Sequence, residues 1–321
     1  MKGSQKGIAL LIVLWVMTIL TVMVFSFSLL TRSETFGTLA FREELEKKLR
    51  AESGIERGIM EIIYQSINRN QTVTVEGKEA WKLDGTPYTA GIGQGGYVVR
   101  IFDESGKISL NGLTDSSGIV LKNLLVNQGA SPENADIIVD SILDWKDPDD
   151  LHRLNGAEND YYQSLPKPYR AKNAGFETLE ELSLVRGMTP ELLYGTGKRA
   201  GIFPFLTVHR KAGQINVNVA PKEVLAALPG MDAALVERIL AFRASAEIRE
   251  AGALREILGA LYPRIAPYAS SDTGASETFT LEAAGYRDDP QKGHSILATV
   301  TFDGPLDYRF LYYKNPTESM Q

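Results

Sequence analysis

The 321-residue sequence has no cysteine. That excludes disulfides and thiolate metal sites, so an exported form must be stable without covalent staples. Histidine is scarce, with three in the chain, which argues against zinc. There is no nucleophile elbow, zinc-protease motif or phosphate-binding loop to support a hydrolase. A strong excess of one charge is also missing: the formal net charge of -6 gives no general attraction to nucleic acid or anionic lipid. No bias towards disorder is present, since 44% of residues are hydrophobic and 23% charged, as in globular proteins. The length suits one large domain or two ordinary ones, each with its own core. The last absence is local: no residue from Ile8 to Thr31 carries a charge.

That stretch is long enough to cross a hydrocarbon core of about 30 Å as a helix. Lys2 and Lys6 precede it, so the positive-inside tendency keeps the N-terminus cytoplasmic and sends the remainder outward. Three readings compete. A secretory signal has a shorter apolar core and a small-x-small cleavage site, whereas Phe25-Ser26-Phe27-Ser28 is a poor one. A plain single-pass anchor fits the composition. The third reading rests on Lys6-Gly7-Ile8-Ala9-Leu10-Leu11, which resembles the leader of type IV prepilins. That resemblance implies cutting by a prepilin peptidase between Gly7 and Ile8, with Ile8 as the new, methylated terminus.

Beyond Thr31, Phe36, Leu39, Leu45, Leu49, Ile55, Ile59, Ile62 and Ile63 recur at spacings compatible with one helical face, and no proline occurs before Asn68. A membrane helix running directly into an amphipathic one is the spine of a pilin. Most pilins and pseudopilins carry glutamate at the fifth mature position, which here is Ile12. A carboxylate at membrane depth is costly unless paired; in the family its suggested partner is the N-terminal amine of a neighbouring subunit. A subunit with Ile12 cannot make that contact when joining beneath another, but can offer its own amine to the next arrival. That logic places it at the tip.

Thr72–Val75, Tyr97–Phe102 and Lys107–Leu110 read as strands early in the chain, and Thr278–Ala283, His294–Phe302 and Tyr308–Tyr313 as strands late in it. Between roughly 113 and 270 the periodicity is helical. One sheet packed on the N-terminal helix, with a helical domain inserted between early and late strands, is the simplest architecture.

The insert holds two motifs. Leu143-Asp144-Trp145-Lys146-Asp147-Pro148-Asp149-Asp150 and Gly156-Ala157-Glu158-Asn159-Asp160-Tyr161-Tyr162 crowd carboxylates onto irregular chain. Oxygen donors at close loop spacing suit Ca²⁺, although the spacing is not that of an EF-hand. A solvated acidic turn with helix caps is the plainer alternative. Two placed carboxylates would suffice for glycosidase chemistry, but so many like charges would raise one another's pKa unless a cation neutralised them. The second motif, Asn216-Val217-Asn218-Val219-Ala220-Pro221 through Leu228-Pro229-Gly230-Met231-Asp232 to Arg238 and Arg243, resembles a helix-hairpin-helix unit. Asn before Ala-Pro reads as a helix cap, and residues 176–195 look like a degenerate partner unit. Phosphate contacts dominate non-specific DNA affinity, and here Asp232 would face the phosphate, so the hairpin reads as a packing device.

Together, the leader, the absent glutamate, the two acidic segments, Pro168–Asn173, Leu184–Thr189 and the Asn-Val-Asn-Val-Ala-Pro run resemble the type II secretion system protein K family, the large minor pseudopilin. The resemblance implies an α+β fold: a pilin-like long N-terminal helix packed on an antiparallel sheet, with a large inserted all-α domain containing the helix-hairpin-helix-like unit. It divides the chain into a leader (1–7), a transmembrane helix (8–31), the periplasmic spine (32–68), pilin-like strands (69–112), the inserted domain (113–275), C-terminal strands (276–314) and a tail (315–321). The implied function is non-enzymatic: initiating the periplasmic pseudopilus at its tip, anchored in the inner membrane, in support of protein export. Implied partners are other minor pseudopilins, the major pseudopilin, the prepilin peptidase and the inner-membrane secretion platform, with no nucleic acid. By the same resemblance calcium is assigned to Asp147, Asp149, Asp150, Glu158 and Asp160, together with Asp144. A minor pilin of a type IV pilus and a membrane-anchored DNA-binding protein are the competing readings.

Overall fold

The computed structural model describes residues 6–68, 81–197, 199–210, 214–271 and 276–317. The strand expected at Thr72–Val75 falls outside them. Helix α1 runs unbroken over Lys6–Ile67, with no proline to stop it. From Ile8 to Arg42 every residue is exposed. Within this stretch Thr18, Thr21, Thr35 and Thr38 each donate a hydroxyl to the carbonyl four residues back, which satisfies the hydroxyls without water. Burial starts at Ala51 and continues through Ile55, Ile59 and Ile62, a stripe at helical spacing. Phe36, Leu39, Leu45 and Leu49, read from the sequence as part of the same face, remain exposed.

The stripe packs on a five-stranded sheet. Chain order is β1 (Tyr88–Gly91), β2 (Gly96–Asp103), β3 (Ile108–Ser109), the short ribbon β4 (Gly195–Thr196) with β5 (Arg199–Ala200), then β6 (Leu206–Thr207), β7 (Ile215–Asn216), β8 (Ala269–Ser270), β9 (Thr278–Tyr286), β10 (His294–Phe302) and β11 (Tyr308–Lys314). The main sheet has the order β1-β2-β9-β10-β11 and is antiparallel throughout. Alternation sets its buried face. Val99 and Ile101 on β2, Leu281 and Ala283 on β9, and Ile296, Ala298 and Val300 on β10 share one core with the α1 stripe. Gly58 permits the close approach, because a Cβ there would fall 2.5 Å from Leu281 Cδ2.

The chain leaves this sheet after Asp103 and returns at Thr278, and Asp103 sits opposite Phe279 in the β2–β9 register. Between them lies a second, separate core built from α2 (Gly118–Asn127), α3 (Pro132–Lys146), α4 (Asn159–Gln163), α5 (Pro190–Tyr194), α6 (Lys222–Ala227), α7 (Ala233–Ser245), α8 (Ala251–Leu258) and α9 (Tyr262–Ile265). Packing sets the insert's start earlier than the sequence reading, which gave residues up to 112 to the pilin strands. β3 pairs in parallel with β6, and Ile108 and Leu110 bury in the helical core. The crossing itself is polar. Asp103 accepts from the Ser105 amide at 2.7 Å, and Lys107 donates to Glu104 at 2.6 Å, both side chains buried.

Candidate metal centre

Helix α3 delivers the first half of the centre. Ser131 caps its N-terminus, with Pro132 in the first turn, and its inward face carries Ile138, Ile142 and Trp145 into the insert core. The same face carries Asp144, which is fully buried. Trp145 lies edge-on to Tyr162 with centroids 5.2 Å apart, so an aromatic floor ties α3 to α4. Burial pushes the Tyr162 hydroxyl pKa up. Lys146 donates to the carbonyls of Leu110 and Asn111 at 3.1 and 3.3 Å. Asp147 then ends the helix in extended backbone, and Pro148 prevents its continuation.

The loop that follows folds back on α3. The Arg153 amide lies 3.3 Å from both Asp144 oxygens. Its guanidinium donates to Asp144 Oδ1 at 2.8 Å, Asp147 Oδ2 at 2.6 Å and Asp115 Oδ1 at 2.9 Å. Asp149 accepts from the Leu151 amide at 2.8 Å. Gly156 brings the chain against Asp144, and Glu158 precedes α4 with its side chain turned inward, 1% exposed.

One ligand oxygen from each of Asp147, Asp149 and Glu158 lies within 4.8 Å of the other two. Among the described residues neither Glu158 oxygen has a hydrogen-bond partner, nor has Asp147 Oδ1. Burial, followed by the nearby charges of Asp144, Asp147, Asp150 and Asp149, pushes the Glu158 pKa up to about 7. A buried, unpaired carboxylate among other carboxylates is costly. A hard cation there would offset the cost and use the free oxygens. The donor set fits Ca²⁺ and, lacking sulfur and imidazole, does not resemble a zinc site.

The other residues named from sequence stand close by in different roles. Asp150 accepts from Asn159 Nδ2 at 2.7 Å and Asn173 Nδ2 at 3.2 Å. Asp160 pairs with His152 at 3.0 Å and is exposed. Asp144 is held by Arg153. Asn173, known from the sequence only as the end of the Pro168–Asn173 segment, reaches the Asp149 carbonyl with its amide at 3.2 Å, and its Oδ1 has no partner among the described residues. Its φ of 48° is left-handed, a conformation asparagine tolerates better than most residues.

Two family models, both described as type II secretion system (T2SS) protein K, match residues 106–196 and 215–266. The first span contains this entire centre. Type II secretion system protein K of Pseudomonas aeruginosa is 28% identical over 251 residues, covering 75% of this chain and 73% of its own length. The Klebsiella pneumoniae protein of the same description is 26% identical over 253 residues, covering 74% of each. This chain belongs to the type II secretion system protein K family. It is a minor pseudopilin of that system. In fold it is similar to a chain of the GspK–GspI–GspJ complex from enterotoxigenic Escherichia coli, with a TM-score of 0.58 and 19% identity over 88% of this chain and 99% of that one.

The second family span contains the hairpin, and there the geometry opposes phosphate. Asp232 caps α7 by accepting from the Leu235 amide at 2.8 Å, so the chain's own carboxylate occupies the helix N-terminus. Arg243 is turned inward to the carbonyls of Val217 and Ala220 at 3.2 and 2.6 Å. The expected asparagine cap is corrected. Pro221 occupies the N-cap of α6 with no side-chain cap hydrogen bond. Asn218 instead exchanges two hydrogen bonds with the Ile248 backbone at 2.8 and 2.9 Å, a long-range pairing that outcompetes a local one. In the degenerate partner region only the six-residue 3₁₀ turn Leu179–Leu184 and α5 form.

Proposed function

We propose that this minor pseudopilin sits at the tip of a periplasmic pseudopilus, anchored in the inner membrane by α1, and initiates its assembly with other minor pseudopilins. The supporting observation is the spine. From Ile8 to Thr31 it is an uncharged helix long enough to cross a membrane, and exposed apolar residues continue through Phe36, Leu39 and Phe41. In lipid, helices associate by close packing rather than by excluding water, so the first part can bundle with partner spines. Beyond the membrane the exposed phenylalanines and leucines gain by burial against partners. Ile12, where most pseudopilins carry glutamate, suits a subunit that receives others from below. The GspK–GspI–GspJ complex of a structural relative supports minor pseudopilins as the partners. The work is assembly and needs no catalysis.

The test is mass analysis of the full chain expressed with and without a prepilin peptidase. A mature chain beginning at Ile8 is expected only with the peptidase, and an intact Met1 in both samples would sink the reading. Deletion is expected to stop protein secretion and spare piliation, which separates this role from that of a type IV pilus subunit.

The metal centre we read as a structural calcium site. Asp147, Asp149 and Glu158 would hold the ion. The ion would supply positive charge to a buried carboxylate group and so stiffen the loop between α3 and α4.

A further inference from the structure

We propose that Arg153 is a built-in second cation that splits the acidic cluster, so that the centre takes a single divalent ion. The proposal rests on the calcium reading above. Asp115, Asp144 and Asp147 converge on one guanidinium at 2.9, 2.8 and 2.6 Å. One oxygen each of Asp147, Asp149 and Glu158 lies within 4.8 Å of the other two, and among the described residues both Glu158 oxygens and Asp147 Oδ1 find no hydrogen-bond partner.

Asp147 belongs to both sets. Its Oδ2 is bound to Arg153, while its Oδ1 is without a partner among the described residues. A carboxylate that gives one oxygen to each of two positive centres is the arrangement of a bridging ligand. Here one of those centres is covalently part of the chain.

A guanidinium suits the task. It is always charged, and its rigid fork of donors matches carboxylate geometry. It needs no uptake from solution, and a chelator cannot remove it. The Arg153 amide is directed at the same Asp144 carboxylate, so charge and backbone hold Asp144 and Asp147 in place before any ion arrives. A second divalent ion on the Asp115–Asp144–Asp147 side would have to displace the guanidinium or sit against it, and like charges at that distance repel.

The test counts calcium per chain by equilibrium dialysis and elemental analysis, using the full chain in detergent. One ion is expected for the wild type, two for Arg153→Gln and one for Arg153→Lys, which keeps a cation at the position. Two ions in the wild type, or two in Arg153→Lys, would overturn the role of Arg153 and leave the calcium reading standing. One ion in folded Arg153→Gln would overturn it as well. If Arg153→Gln does not fold, Arg153→Met, which keeps the length of the side chain without its charge, is counted in its place: two ions are again expected, and one would overturn the role. No ion in the wild type would overturn the calcium reading itself.

Discussion

Gly156 lies so close to Asp144 that a Cβ added at Gly156 would stand 1.8 Å from Asp144 Oδ2. The glycine is therefore a spatial requirement of the buried carboxylate. Gly156→Ala is expected to push Asp144 away from Arg153 at a cost of about 1–3 kcal/mol, the usual range for overpacking. Circular-dichroism melting of the full chain in detergent should show a loss of several degrees, with weaker calcium binding. An unchanged melting point and affinity would show that the carboxylate has room to move.

Calcium removal has a definite sign. Chelator should lower the melting temperature and added Ca²⁺ restore it, by about 2.7 kcal/mol at a hundredfold excess over the dissociation constant. Glu158→Gln removes a buried carboxylate that has no hydrogen-bond partner among the described residues. Its chelated form should match or exceed the chelated wild type in stability, yet gain little from calcium. A variant that responds as strongly as the wild type would remove Glu158 from the ligands.

Two spine glycines should respond in opposite directions. Gly58→Ala places a Cβ 2.5 Å from Leu281 Cδ2 and should separate α1 from the sheet, lowering the melting temperature. Gly37 has nothing within 4 Å of its Cβ position, so Gly37→Ala should stabilise the helix by about 1 kcal/mol. Equal effects from the two would contradict the packing described.

Half-buried His209 supplies a pH dependence. Burial lowers its pKa, Glu104 opposes the shift and Lys107 adds to it. The unfolded chain takes up a proton near the ordinary value of 6.5 and the folded one resists it. Stability from this group is thus complete above that value and declines as pH falls below it. His209→Gln should flatten the slope of melting temperature against pH between neutrality and pH 5. A slope unchanged by the substitution would assign the effect to other groups.

Much of the fold could be read because its signals are local. The uncharged run from Ile8 fixes the spine, and His294–Phe302 read as a strand over the same residues that form β10. The insert boundary was harder, because β3 looks like a pilin strand until its parallel partner, about a hundred residues away, draws it into the other core. At the candidate metal centre the acidic residues were conspicuous but their division was not. Nothing in the spacing tells that Arg153 takes Asp144 and that Asp160 turns to His152, since both depend on how the loop folds over α3. Asn218 was misread for the same reason: its choice of Ile248 is settled by tertiary approach.

The opposition of Asp103 and Phe279 in adjacent strands has a mechanical consequence. The helical insert is a side branch whose two connections to the sheet are neighbours, and the β2–β9 ladder is continuous with the face seated on α1. An axial thrust on α1 therefore has a path through the pilin sheet that bypasses the insert. The insert travels with the filament while the fold of the loop between α3 and α4 stays out of the line of load.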